Sequence, residues 1–140
     1  MKNSIIENKL VRLHFRGDNI LHLHYLTTEL NLTASKDILS FTREHSPWKI
    51  SPLLITGDEF MNQDKESLSF NASKEVLQYC SAFGFITDSV AKKILANFYM
   101  TVNRGKIPMR FFSNEADAAE WLAQFPTVKL EVTSLENTKV

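Results

Sequence analysis

The sequence is poor in cysteine and glycine, and its charges cancel. Cys80 is the one cysteine in 140 residues, so no disulfide can form within the chain, which suits a reducing compartment. Four glycines leave no glycine-rich phosphate loop and no dinucleotide fingerprint. Lysine plus arginine and aspartate plus glutamate number 16 each, so no overall field attracts nucleic acid or an acidic membrane.

Long hydrophobic runs and catalytic patterns are also missing. No uninterrupted apolar segment is long enough to span a bilayer, and the N-terminus holds only isolated apolar pairs broken by Glu7 and Lys9. We therefore expect a cytoplasmic protein that does not insert stably into a membrane. No Ser-His-Asp order, paired-carboxylate signature or zinc-ligand spacing is recognisable. The sequence predicts a protein that is not an enzyme and that carries neither a cofactor nor a metal.

The apolar residues that are present predict one domain with a substantial core. They make up 44% of the chain and include ten phenylalanines. We expect residues 1–126 to form this domain and residues 127–140 to form a C-terminal strand or tail. In the tail, Val128, Leu130 and Val132 alternate with charged or polar residues, which predicts either an added edge strand or a segment that pairs with a second copy of the chain. A homodimer is therefore one of the expected assemblies.

Patterns in the first third of the chain predict a hairpin followed by a helix. Residues 10–15 and 20–26 alternate between apolar and polar positions, and the Arg-Gly-Asp-Asn sequence between them has turn chemistry. Thr33 is the predicted N-cap of a helix over residues 34–45, in which Ala34, Ile38 and Phe41 recur at helical spacing.

The rest of the chain alternates between predicted strands and helices. Residues 52–55 are continuously apolar, as in a central strand covered on both faces. Residues 64–79 predict two short helices or one kinked helix. Strands at 83–86 and 109–112 are each followed by a capping pair, Asp88-Ser89 and Ser113-Asn114, and then by a helix, the first of them over residues 90–102.

These elements together predict the fold class. Consecutive right-handed strand–helix units build an α/β domain with a mostly parallel sheet, an antiparallel N-terminal hairpin strand, and helices packed on the sheet. On the strand at 83–86, Phe83 and Phe85 point to one side. Ala82 and Gly84 leave nearly bare backbone on the other side, where a helix can approach closely.

The chain resembles the SpoIIAA-like proteins in its element order, in the connecting segment at residues 103–108 and in the Arg-Phe-Phe-Ser-Asn-Glu sequence at residues 110–115. These are STAS-domain relatives (sulfate transporter and anti-sigma-factor antagonist), and they include a branch grouped with CRAL-TRIO-type lipid-binding proteins. The resemblance covers residues 9–125. It implies a small bacterial, cytoplasmic interaction module with a regulatory protein partner, rather than an enzyme.

The resemblance also implies a place for a regulatory site. Anti-sigma-factor antagonists carry a phosphorylatable Ser or Thr just after the central strand, at the N-terminus of the next helix. In the matching residues 58–68, Ser67 is the nearest hydroxyl, the family's glycine is absent, and Glu66 would oppose a phosphate. The implied interaction or switch surface consists of Asp58, Asn62, Asp64 and Ser67.

Polar residues follow the predicted parallel strands. In a parallel sheet, ligands bind outside the carboxyl ends of the strands, so these residues could form one binding rim. The same residue types are also favoured as helix caps and in turns, which is the more ordinary explanation. The clusters are Thr56-Gly57-Asp58, Thr87-Asp88-Ser89 and Ser113-Asn114.

Two further sets of residues have both a functional and an ordinary explanation. His22 and His24 share one side of a strand, and His14 on the partner strand could join them. No Cys, Asp or Glu stands at ligand spacing beside them, so we predict no metal site. A basic group could contact a phosphate or an acidic partner, although cations near a helix C-terminus also complement its dipole. This group consists of Arg104, Lys106 and Arg110.

The many aromatic side chains allow two interpretations. Mostly they are expected to fill the core, and Cys80 is expected to be a buried structural thiol. A subset could instead line an apolar pocket. The preferred function is therefore a non-enzymatic module that acts through protein–protein contacts. The alternative is a carrier or sensor of a small apolar or lipid-like ligand held between sheet and helices.

Overall fold

The computed structural model describes residues 4–57, 62–86 and 107–130 of the chain. The predicted cap at Asp88-Ser89, the predicted helix over residues 90–102 and the residues 131–140 of the tail lie outside these ranges. The described ranges contain nine strands and four helices, in the order β1 (Ser4–Glu7), β2 (Val11–Phe15), β3 (Leu21–Tyr25), β4 (Glu29–Leu30), α1 (Leu32–His45), β5 (Trp48–Gly57), β6 (Asn62–Gln63), α2 (Lys65–Asn71), α3 (Lys74–Leu77), β7 (Cys80–Ile86), β8 (Met109–Phe112), α4 (Glu115–Leu122) and β9 (Val128–Lys129).

The main sheet has the strand order β1-β2-β3-β5-β7-β8. β2 is antiparallel to both β1 and β3, while β3, β5, β7 and β8 are parallel. The predicted α/β class, the N-terminal hairpin and the parallel pairing of the strands at 83–86 and 109–112 are confirmed. β1 was not predicted, because a single Ile-Ile pair is too short a pattern. It is held to β2 partly by an ion pair between Glu7 and Arg12, 2.8 Å apart.

Helix α1 begins earlier than the sequence predicted. Its N-cap is Asn31, whose side-chain oxygen accepts a hydrogen bond from the Ala34 N–H at 2.8 Å. The prediction that Thr33 caps this helix is wrong. Asn31 has the extended backbone that a cap requires, and its short carboxamide reaches the third N–H beyond it, so the helix gains Leu32 and Thr33.

The central strand β5 is longer than residues 52–55 and contains a proline. Pro52 cannot donate a hydrogen bond to the ladder, and prolines in sheets are tolerated at irregularities. The register with β7 shifts between Ser51 and Pro52, so Ser51 pairs with Cys80 while Pro52 pairs with Ala82. The strand continues before this shift because its start is paired with β9.

The C-terminal segment pairs within its own chain. Lys129 and Val128 of β9 lie antiparallel to Trp48 and Ile50 of β5. The Thr127 hydroxyl donates to the Asn19 carbonyl at 2.8 Å, which fastens the segment to the β2–β3 turn. Of the two predicted alternatives, an added strand describes the residues up to 130. A homodimer stays a prediction.

The sheet buries a different core on each face. On one face, α1 and α3 cover the larger core, which includes Leu13, Leu23, Ile38, Leu53 and Phe83. On the other face, α4 packs against β5 and β7 through a smaller core of Ile20, Leu54, Ala82, Ala118 and Leu122.

The contact between α4 and β7 is as close as the small residues of β7 predicted. A Cβ placed on Gly84 would lie 3.0 Å from Leu122 Cδ1. On the opposite side of the strand, the Phe83 and Phe85 rings stack with their centroids 6.0 Å apart. The strand therefore places bulk towards α1 and bare backbone towards α4.

Two short helices, rather than one kinked helix, occupy the segment before β7. Asp64 caps α2 by accepting from the Ser67 N–H at 2.8 Å, and the break with α3 falls at Ala72 and Ser73. Among the helices of the described ranges, none combines the length and the apolar character that crossing a membrane requires.

Candidate functional site

An apolar pocket of about 130 Å³ lies between the sheet and the helices α1 and α3. It is partly open to the surface, and apolar side chains form most of its wall. Its volume is close to that of an engineered apolar cavity of roughly 150 Å³ that stays dry and binds benzene. The apolar wall includes Leu23, Ile38, Leu53, Ile55, Phe83 and Phe85.

Strand alternation places these side chains together. Residues two apart on a strand share a face, and β3, β5 and β7 are parallel neighbours, so three pairs of apolar side chains form one floor. Helix α1 forms the roof with Ile38 and Leu39. The floor extends from Leu21 to Tyr25, which is about 13 Å at roughly 3.3 Å per residue.

A small hydrogen-bonded group of polar side chains joins α1 to α2 beside the pocket. The hydroxyl oxygens of Ser35 and Ser67 lie 2.6 Å apart, and Gln63 Nε2 donates to Ser67 Oγ at 3.0 Å. Asn71 Nδ2 donates to Ser35 Oγ at 3.4 Å. Ser67 is completely buried, so a phosphoryl group could reach its hydroxyl only if the contact between α1 and α2 opened.

Arg43 lies at the end of the pocket where β5 and β7 begin. Its guanidinium carbon is 4.0 Å from the centre of the Tyr79 ring, and its Nη2 donates to the Trp48 carbonyl at 2.8 Å. Burial lowers the pKa of Arg43, while Tyr79 and Cys80 act in the opposite direction. Within the described ranges, no carboxylate lies at salt-bridge distance from this guanidinium.

Cys80 next to Arg43 is a buried structural thiol, as predicted. It is 7% exposed, and burial raises its pKa to about 12, against a smaller opposing effect of Arg43. Because the thiolate is the nucleophilic form, this thiol is unreactive near neutral pH.

The opposite face of the sheet carries the predicted histidine group. The Thr56 hydroxyl lies 2.8 Å from His22 Nε2 and 2.7 Å from His24 Nδ1, and the His14 and His22 ring centres are 6.5 Å apart. One hydroxyl can donate a single proton, so one of the two rings must donate to it. The placement of the three histidines on one side is confirmed.

The surroundings of His22 favour its neutral form. Burial lowers the pKa of His22, and its neighbours Arg16, His24 and His14 act in the same direction. Glu115, whose Oε1 is 3.8 Å from His22 Nδ1, raises the pKa. In the described part of the chain, no group of three or more His, Cys, Asp or Glu is placed to hold a metal ion.

Comparison with known proteins places the chain in a family. The family model of DUF7793, a domain of unknown function, matches residues 13–126. The chain belongs to the DUF7793 family. No curated protein matches it.

One solved structure is similar to this DUF7793 member. It is an uncharacterized protein of the DUF3478 family from Shewanella loihica PV-4, which has a SpoIIAA-like fold. The two chains are 14% identical, the match covers 85% of this chain and 90% of the other, and the TM-score is 0.54. This similarity concerns the fold. The resemblance to SpoIIAA-like proteins is confirmed at that level.

The predicted switch surface of the DUF7793 member is only partly described. Asp58 lies outside the described residues. Asn62 belongs to β6, which pairs in parallel with β4 through Glu29. Asp64 is the N-cap of α2, and Ser67 is buried beneath it. The two described side chains of this set thus have structural roles, and their predicted role in a partner contact stays a prediction.

The predicted basic group is also divided. Arg104 and Lys106 lie outside the described residues. Arg110 is exposed on β8, with its guanidinium carbon 5.5 Å from the centre of the Phe112 ring. Since Arg110 is paired with Gly84, it lies on the face of the sheet opposite the apolar pocket.

Sequence reasoning missed Arg43. The signal was present, because Arg43 follows Leu39 by four residues and so shares the apolar side of α1. A cation on the apolar side of a helix either extends into solvent or faces a pocket. The sequence does not distinguish these two cases, because the answer depends on how α1 packs over β5 and β7.

Proposed function

We propose that this DUF7793 member is a non-enzymatic binding module that holds a small apolar ligand between its sheet and helix α1. The observation that supports this is the pocket of about 130 Å³ with a mainly apolar wall. Well-packed cores contain few voids larger than a water molecule. A roomy apolar space gives water few partners, so an apolar guest is its natural occupant.

The chemistry near the pocket supports binding rather than catalysis. The thiol of Cys80 is buried, with a pKa raised to about 12, and the hydroxyls of Ser35 and Ser67 are engaged with each other. A nucleophile needs an adjacent base or a lowered pKa. None of these three groups has either, within the residues that the structure describes.

Filling the pocket tests this function. Ile55 lines the pocket, so Ile55→Trp should occupy the space and weaken binding of octanol about tenfold or more, as lost apolar burial predicts. Ile5 is 60% exposed on β1, outside the pocket, and Ile5→Trp is the matched control. Isothermal titration calorimetry provides the measurement. The proposal fails if octanol binds equally to the Ile55→Trp and wild-type proteins, or if neither octanol nor an anion of the same chain length binds to the wild-type protein.

A protein partner at the β1 edge is the second candidate function. β1 is an edge strand of the described sheet, and Ile5 is exposed on it. Edge strands pair readily with another chain. Ile5→Lys should abolish capture of a specific regulatory protein from native cytosol, while Ile5→Val should retain it. Identical captured proteins for both variants would argue against this candidate.

A further inference from the structure

We propose that the ligand of the apolar pocket carries an anionic group at one end and that Arg43 binds this group. The inference rests on the proposed function, and it specifies the ligand as an amphiphile with a short hydrocarbon tail and a carboxylate or phosphate head. Three observations carry it: the position of Arg43 in the pocket, the N–H donors that no described residue engages, and the apolar floor that leads away from it.

Arg43 lies in the pocket wall, and described residues engage one of its hydrogen-bond donors. A guanidinium has five N–H donors, and within the described ranges a single hydrogen bond, from Nη2 to the Trp48 carbonyl, holds it in place. The guanidinium carbon also lies over the Tyr79 ring, 4.0 Å from its centre, and this cation–π contact helps to hold the group in place. The guanidinium is therefore positioned in advance, with donors left for a planar or tetrahedral anion.

A cation that is partly removed from water favours a negative partner. Among the described residues, the carboxylates in ion pairs serve Arg12, Arg16 and His22, and none forms an ion pair with Arg43. Burying an unpaired charge is costly, whereas an opposite charge in the same low-dielectric space offsets part of that cost. Burial lowers the pKa of Arg43, which indicates this cost. An anionic ligand would supply the missing charge.

The floor of the pocket fits a hydrocarbon tail. From Arg43, the wall continues along the sheet through Leu53, Leu23 and Ile55. A ligand with its head at Arg43 would thus place its tail over the floor of about 13 Å along β3. The volume of about 130 Å³ and the partly open side suit a short chain rather than a two-chain lipid.

Titration with three matched ligands tests the proposal. Octanoate, octyl phosphate and octanol have eight carbons each and differ in the head group. The wild-type protein should bind at least one of the two anions about tenfold or more tightly than octanol, as expected for charge-assisted hydrogen bonds. The stronger of the two anions identifies the head group. Arg43→Gln should weaken anion binding far more than octanol binding and so remove this preference, and Arg43→Lys should retain part of it.

Arg110→Gln is the matched control, because it removes the same charge from the opposite face of the sheet. It should leave all three affinities unchanged. Protection from phenylglyoxal, which modifies arginine, needs no variant and covers the case in which Arg43→Gln does not fold. The preferred anion should protect Arg43 but not Arg110, as read from the mass of their peptides.

The possible failures are distinguishable. Equal wild-type affinities for octanol and both anions would overturn the role of Arg43 and leave the proposed function standing. Parallel loss of octanol and anion binding in Arg43→Gln would show a structural role and overturn the proposal as well. Absence of binding for all three ligands in the wild-type protein would remove the proposed function, and this inference with it.

Discussion

Ser67 shows how burial changes the meaning of a residue that sequence similarity singles out. Its position in the chain matches a regulatory hydroxyl, but its side chain is completely buried and bonded to Ser35 and Gln63. A hydroxyl in this setting links two helices. If it is also a switch, the linkage between α1 and α2 must break when the switch acts.

A charge at Ser67 should therefore destabilise the protein. We expect Ser67→Glu to lower the free energy of unfolding by about 3 kcal/mol or more, since it buries an unpaired carboxylate. Ser69, exposed on the same helix, is the matched control, and Ser69→Glu should change stability by less than about 0.5 kcal/mol. Urea unfolding provides the measurement. Equal and small effects for both variants would contradict the buried placement of Ser67.

His22 should make stability depend on pH. Burial lowers its pKa in the folded protein below the ordinary value of 6.5, so the unfolded chain binds more protons in the interval between the two values. The contribution of His22 to the free energy of unfolding should be fully present above about pH 6.5. It should be lost as the pH falls towards the pKa of His22 in the folded protein.

Thermal unfolding from about pH 8 to about pH 5 measures this dependence. We expect His22→Gln to reduce the fall in melting temperature. Glu115→Gln should make the fall steeper, because Glu115 raises the pKa of His22. If neither variant changes the slope, His22 is not the group responsible.

At the scale of elements, the contact between β7 and α4 depends on the absence of a side chain at Gly84. We expect Gly84→Val to cost about 1–3 kcal/mol of stability, because the new methyl groups would press on Leu122, which is completely buried. In a double-mutant cycle with Leu122→Ala, the stability lost by the double variant should be smaller than the sum of the losses of the two single variants. The reason is that the shorter side chain at position 122 makes room for the valine. Additive costs would mean that the two residues are not in contact.

The sequence predicted the elements that carry strong local signals. Phe83 and Phe85 on one side of β7 and small residues on the other gave the strand and the side of closest approach. Asn114 was correctly identified as a cap, since its carboxamide accepts from the Asp117 N–H at 2.9 Å. Such features depend on residues a few positions apart.

Features that depend on distant partners were not predictable in the same way. The alternating tail allowed for an added strand at β9, but it did not predict the partner, because Trp48 and Ile50 lie some eighty residues earlier. Similarly, Asn62 and Gln63 pair with Glu29 and Leu30 in a two-stranded sheet that has no pattern of its own. The pocket is the clearest example, because it requires α1 to lie over three strands from separate parts of the chain.

At the scale of the whole molecule, the two faces of the sheet differ in covering and in chemistry. One face, beneath α1, holds the larger core, the apolar pocket and Arg43. The other face holds the close packing of α4 and, beside it, the polar group of His14, His22 and His24. The DUF7793 family match and the SpoIIAA-like fold concern the sheet and its helices as a whole, rather than either face. Binding, on this account, belongs to one face alone.

Methyl NMR during a titration with octanoate tests this account most directly, because both faces carry assigned reporters in one sample. We expect saturable shifts for the methyl groups of Leu23, Ile38 and Ile55, which line the pocket, and none for Ile20 and Leu122 on the opposite face. Shifts that are absent, or that are as large for Ile20 and Leu122 as for the pocket residues, would contradict the account.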